Sequence, residues 1–173
     1  MIPLRKTEKL IRQFERTHGI PLRLRKPRFW ANPDNAYYDV ATRQLMLPRT
    51  ARGHVLKEFT FHEIGHALIH QYVVPQTLLN RFVKLSPRLK REKALELMEE
   101  DYAAPAGWVS WYAMLNGTED FCEVLGAYVA NDYRRTGDWQ FCGFHFDVGR
   151  DAKLQRKLDW VEEILHACVA QAA

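Results

Sequence analysis

His62-Glu63-Ile64-Gly65-His66 carries the plainest chemistry in this chain. On a helix, positions i and i+4 lie one above the other, so His62 and His66 can turn two imidazoles toward one metal ion. Glu63 then stands beside them, placed to take the proton of a metal-bound water. This is the HExxH pattern, in which the histidines bind zinc and the glutamate is the general base. The run around it, Val55 to Tyr72, is apolar and helix-compatible. Gly65 in that helix is read either as a point of close approach by another element or as a tolerated small residue.

A catalytic zinc takes three protein ligands and leaves one position open. His70 follows His66 by four residues but lies two turns from His62, rotated off its face. It therefore reads as a surface or outer residue. The metzincin solution, a third His six residues past the second after a glycine turn, fails because that position is Tyr72 with no intervening glycine. Glu119-Asp120-Phe121-Cys122-Glu123 offers carboxylates on another helix, one turn apart. One can bind the metal while the other hydrogen-bonds a ligand imidazole, although plain surface helices show the same spacing. His145, flanked by Phe144 and Phe146, is either a further donor entering the cleft or a packed histidine. His54 and His166 have no partner in the sequence and take structural readings.

HExxH followed by a distal Glu-x-x-x-(Asp/Glu) is the gluzincin arrangement. Tyr112-x-x-x-Asn116-x-x-Glu119-Asp120-Phe121-x-Glu123 resembles the corresponding segment of the anthrax lethal factor-type catalytic domain and of small bacterial minigluzincins. The likeness extends in outline over residues 37–133 and departs at Ala113, where the family has Gly, and at Cys122, where it has Ala. The resemblance implies a zincin-like fold and one catalytic Zn²⁺ bound by His62, His66 and Glu119. It further implies Glu63 as base for a zinc-bound water, Tyr112 as donor to the oxyanion, and Glu123 behind the ligands, orienting His62 or His66. Asn116 belongs to that supporting layer. The implied function is a zinc-dependent endopeptidase acting on a peptide or protein. The resemblance also allows the N-terminal helix of this chain to cover the cleft, as pro-segments do in some minigluzincins, but no motif here requires it.

The elements that must position these residues are legible in outline. Leu4 to Thr17 has helical apolar spacing and stops at His18-Gly19, with His18 a cap or surface residue. Pro21 to Arg25 alternates as a half-exposed strand, and Lys26 to Pro33 reads as loop. Ala36–Asp39 and Gln44–Leu47 flank a polar turn as a hairpin. Its edge either receives an extended peptide by strand addition or simply caps the metal helix. Thr77–Leu85 is helical, and Ser86-Pro87 opens a charged helix to about Asp101. Ala103 to Gly117 is loop-like and aromatic, with Trp108 and Trp111, as well as Trp139 further on, lining a pocket or filling the core. Thr118 reads as the N-cap of a helix reaching about Tyr133. Thr136 to Gly149 is a connection. The last helix, Asp151 to Val169, places Leu154, Leu158, Val161, Leu165 and Cys168 on one stripe.

The expected class is α+β: a small twisted N-terminal sheet with its hairpin packed on the HExxH helix, then a helical C-terminal half. One domain spans residues 1–173, with 1–50 the helix and sheet region and 51–173 the metal-binding helical region. At 47% hydrophobic and 12% aromatic residues the composition is that of a folded domain. No apolar run approaches the ~20 residues of a membrane span, and no signal-peptide core opens the chain, so a cytoplasmic location is expected. Three cysteines without a CxxC pair give neither disulfides nor a zinc ribbon and read as buried thiols. Residues 1–54 carry 12 Lys and Arg against 4 Asp and Glu. That face is either solvated, with Arg5, Lys9, Arg12 and Arg16 on the outside of a helix, or meets nucleic acid or an acidic protein. The competing function is accordingly a non-proteolytic or regulatory zincin-fold protein binding a partner through this basic face. An intact Glu63 favours the peptidase.

Overall fold

The computed structural model describes residues 2–31, 35–85 and 107–173. Helix α1 (Ile2–His18) ends where Gly19, at φ +66°, donates its amide to the Glu15 carbonyl, the left-handed stop that glycine allows. Arg5, Lys9, Arg12 and Arg16 are exposed, while Ile11 and Phe14 are buried and Phe14 meets Phe61. A three-stranded sheet follows: β1 (Arg25–Trp30), β2 (Tyr37–Asp39) and β3 (Gln44–Pro48) in the order β1-β3-β2. The predicted hairpin is present as antiparallel β2 and β3, and its turn is held by Asp39 Oδ1, which accepts from the Ala41 and Thr42 amides.

The first strand corrects the sequence reading. It occupies residues 25–30, of which only Arg25 belongs to the expected strand and 26–30 fall in the expected loop, while the alternating Pro21–Leu24 stretch is irregular. β1 pairs parallel with β3, and Pro27, which has no amide to donate, falls in the register shift between Arg25 and Arg28. A proline is tolerated at such a bulge on an edge strand.

Helix α2 (Gly53–Gln71) is buried on nearly all sides, from Leu56 to Leu68, and α3 (Gln76–Leu85) follows. The charged helix expected from Ser86 to Asp101 lies outside the described residues. A single 3₁₀ turn at Tyr112–Met114 leads into α4 (Gly117–Ala130). The N-cap of α4 is Asn116, whose Oδ1 accepts from the Glu119 amide, and not Thr118 as expected. The expected connection after it is a second hairpin, β4 (Asp138–Phe141) and β5 (Phe144–Asp147). Its two turn residues, Cys142 and Gly143, have φ of +49° and +81°, the primed-turn conformation that suits a two-residue loop. Helix α5 (Ala152–Ala172), capped by Asp151, buries Leu154, Leu158, Val161, Leu165 and Cys168, as the stripe predicted. Among the described residues no helix is long and apolar enough to cross a membrane.

α2 and α4 form the main helix pair, and two glycines set their separation. A Cβ on Gly65 would stand 2.8 Å from Cys122 Sγ and 3.0 Å from Cys122 Cα; one on Gly126 would stand 3.3 Å from the His62 nitrogen. Gly65 is thus a point of close approach. Gly65→Ala gains helix propensity of about 1 kcal/mol, yet overpacking of such a contact costs about 1–3 kcal/mol. Urea unfolding is expected to show a net loss of stability, only partly restored by adding Cys122→Ala, since the Cys122 backbone remains in the way. A Gly65→Ala protein more stable than wild type would contradict the close crossing.

Candidate metal centre

His62 and His66 lie one turn apart on α2, and Glu119 comes from the first turn of α4 across the close crossing. The Nε2 atoms of the two histidines are 3.1 Å apart, and Glu119 Oε2 is 3.3 Å from each. Bonds of about 2.0–2.1 Å to a tetrahedral zinc imply donor–donor edges of about 3.3–3.4 Å, so one ion can reach all three. The donor chemistry also fits. Two imidazole nitrogens facing each other at this distance repel unless a cation or proton lies between them. Glu119 Oε2 is buried, with no hydrogen bond of its own. The three residues form a group able to hold a metal, and this cluster fits one zinc ion.

The surrounding carboxylates make the point strongly attractive to positive charge. Burial acts to lower the His62 pKa, but the nearby Glu123, Glu119 and Glu63 outweigh it and raise it well above the usual value. Burial likewise acts to raise Glu119, and contacts from His62 and His66 overcome it, holding this carboxyl at about 2. Glu63 is 2% exposed, with Oε2 unpartnered. Its pKa is raised by burial, against the pull of His62 and His66 and of the nearby Tyr38 backbone.

Behind the donors, Glu123 Oε1 stands 2.5 Å from His62 Nδ1, so of the two histidines left open by the sequence it is His62 that Glu123 contacts. Ser110 Oγ donates to the other Glu123 oxygen and accepts from the Ala113 amide, anchoring the loop before α4 to the same carboxylate. Asn116 caps α4 through the Glu119 amide and so fixes the turn that carries Glu119. Asp120 points away from the centre and is fully buried against Lys157 on α5, with Nζ 2.7 and 2.8 Å from its two oxygens. Lys157 Nζ also sits 3.9 Å from the Trp108 ring centre. Burial raises the Asp120 pKa and lowers that of Lys157, each opposed by the partner's charge.

The centre opens into a cleft of 690 Å³ bordered by Asn35–Tyr38, Phe59, Trp111, Tyr112 and Phe144. Tyr112 is 41% exposed, with its ring 5.9 Å from that of His62. Its hydroxyl pKa is pushed up to about 12 by partial burial and by Glu119, Glu123 and Glu63. Trp111 lines the cleft, whereas Trp108 and Trp139 are buried in the core. His70 is exposed at the rim, near Tyr38. His145 does not enter: it is exposed on β5, paired with Gln140. His54 is structural, bonded to the Gln140 carbonyl. No residue of α1 lines the cleft.

Cys122 and Cys168 are buried as expected, but Cys142 is exposed at its hairpin turn and borders the cleft. Glu58, missed in the sequence, holds that turn: its Oε1 accepts from the Cys142 amide and lies 3.3 Å from His54 Nε2. The available signal was its position four residues before His62, on the same helix face. Ser110 offered no comparable signal.

The Asp120–Lys157 pair fixes α4 against α5 immediately beside Glu119. Lys157→Met leaves Asp120 buried without its partner, a change that costs about 3–5 kcal/mol. Urea unfolding is expected to show that loss, and Asp120→Asn in the same chain to recover much of it. A Lys157→Met protein as stable as wild type would mean the pair does not hold the helix.

Comparison with known proteins supplies one match. A family model described as "putative zinc-binding metallo-peptidase" covers residues 38–163, a span that contains α2, α4 and every donor of the centre. Neither a search of curated proteins nor one of solved structures returns a match. Because the family match spans well over half of the 173 residues, the chain belongs to this family of zinc-binding metallo-peptidases.

Proposed function

We propose that the chain is a gluzincin-type zinc endopeptidase on a zincin-like fold, with His62, His66 and Glu119 holding one catalytic zinc. The observation that carries this reading is the triangle of donors from two helices, two imidazoles and one carboxylate, with a second carboxylate, Glu63, buried beside it and one of its oxygens without a hydrogen bond. When bound, zinc lowers the pKa of a water and polarises a carbonyl oxygen.

The chain's own residues do the rest. Glu63 takes the proton of the attacking water and returns it to the leaving amine. Its burial supports that role, because a desolvated carboxylate accepts a proton more readily than a solvated one. Tyr112 keeps its proton throughout the neutral range and donates to the oxyanion as charge develops there. Glu123 holds the Nδ1 side of His62, so that Nε2 faces the centre, and Ser110 in turn holds Glu123. Asn116 sets the angle at which Glu119 enters.

The substrate is a peptide or protein, as the family implies. β2 is an edge strand, and its Tyr37 and Tyr38 border the cleft. Free backbone groups on such an edge can pair with an extended peptide and lay it between β2 and the Trp111–Tyr112 loop.

Glu63→Gln removes the base while preserving shape and the three donors. Peptide cleavage by the zinc-loaded protein is expected to fall by about 10²–10⁴-fold, with zinc content unchanged at one per chain. Cleavage within tenfold of wild type would remove Glu63 from the reaction.

A further inference from the structure

A second cavity, of 290 Å³, adjoins the metal cleft, and Tyr38 and His70 line both. Beyond that shared rim the lining changes character. The metal cleft is walled by aromatic rings and the carboxylates Glu63, Glu119 and Glu123, whereas the second cavity has no acidic residue in its lining and carries Arg23 and Arg43.

The backbone accounts for both arginines being there. The Arg23 amide donates to Gln71 Oε1, tying the segment before β1 to the end of α2. Gln71 Nε2 in turn donates to the Tyr38 hydroxyl, part of the shared rim. Arg43 closes the β2–β3 turn at φ +54°, and its carbonyl accepts from the Arg25 amide. The backbones of both arginines are thereby anchored at one cavity, their side chains are exposed, and neither has an ion-pair partner among the described residues. Arg81, Arg135, Arg150, Arg156 and Lys157, further along the chain, each face a carboxylate. None of the 12 Lys and Arg in residues 1–54 does so among the described residues, so this N-terminal part of the chain carries an unpaired positive excess.

We propose that this cavity is a carboxylate subsite, in which Arg23 and Arg43 bind a carboxylate of the peptide lying in the metal cleft. It rests on the peptidase reading and names the class of substrate: a peptide with an acidic side chain, or its own C-terminal carboxylate, a short way from the scissile bond. The guanidinium fork suits a carboxylate geometrically as well as electrostatically. His70 stands one turn past His66, ~6 Å along α2, which an extended peptide covers in about two residues. The unpaired positive excess draws an acidic chain toward this end of the cleft, while the carboxylates around the metal disfavour the acidic group there.

The test uses zinc-loaded Glu63→Gln protein, so that peptides bind without being cut. The probes are fluorescein-labelled decapeptides in which one Glu is walked along an Ala-Phe background, each made as free acid and as C-terminal amide, with Gln at the same positions as control. Fluorescence anisotropy is expected to show at least tenfold tighter binding for Glu over Gln at one position. That ratio should fall to near one in the Arg23→Gln/Arg43→Gln protein, whose fold is checked by thermal melting. If instead only the free-acid peptides gain, and the gain vanishes in the double variant, the subsite takes a C-terminal carboxylate. No gain from either carboxylate, or a gain that survives the double substitution, overturns the proposal. Wild-type protein incubated with the same peptides separates the two readings: peptides bound through the arginines but never cut would contradict the peptidase and leave the subsite standing.

Discussion

Everything at this metal centre depends on how closely α2 and α4 cross. His62, His66 and the buried Glu63 belong to α2; Glu119 and the carboxylate that contacts His62 belong to α4. Without side chains at Gly65 and Gly126, Cys122 packs onto one helix and the His62 backbone onto the other. At the spacing of an ordinary helix pair, 8–10 Å between axes, a short Glu119 side chain has little reach to spare. The same constraint explains why Cys122, small and apolar, sits between Glu119 and Glu123: a larger side chain would push the donors apart.

The close crossing concentrates negative charge, and the structure disperses that cost in separate ways. Glu123 is tied to His62 and Ser110, Glu58 to the Cys142 amide and His54, and Asp120 to Lys157. Among the described residues, each buried carboxylate other than those facing the metal site therefore has its own partner. Glu63 and Glu119 keep an oxygen without a hydrogen bond, and both face the point where a dication fits. A buried charge without compensation is expensive. A zinc ion held there would supply that compensation and would couple metal binding to the packing of the helix pair.

Much of this was legible because local rules carry it. The i, i+4 histidines, the Glu one turn from its partner in Glu119–Glu123, the α5 stripe and the β2–β3 hairpin all follow from periodicity and turn chemistry. What escaped was set by contacts distant in sequence. β1 forms despite Pro27 because β3 offers it a parallel partner. The β4–β5 hairpin turns at Cys142-Gly143, where the usual Asn-Gly or Asp-Gly signal is missing. Asn116, and not Thr118, caps α4, a shift of two residues that propensity alone does not resolve. Ser110 and Glu58 reach the site through loops and helix faces that only the folded chain brings together.

The geometry fits one zinc ion held jointly by α2 and α4 through His62, His66 and Glu119. Elemental analysis of purified protein, wild type beside Glu119→Ala and Glu123→Ala, tests it most directly. One zinc per chain is expected in wild type, with sharply weakened retention in Glu119→Ala and a lesser loss in Glu123→Ala, about 10–100-fold in affinity for an outer partner of a ligand histidine. Full zinc retention in Glu119→Ala would place the third ligand elsewhere and contradict the account.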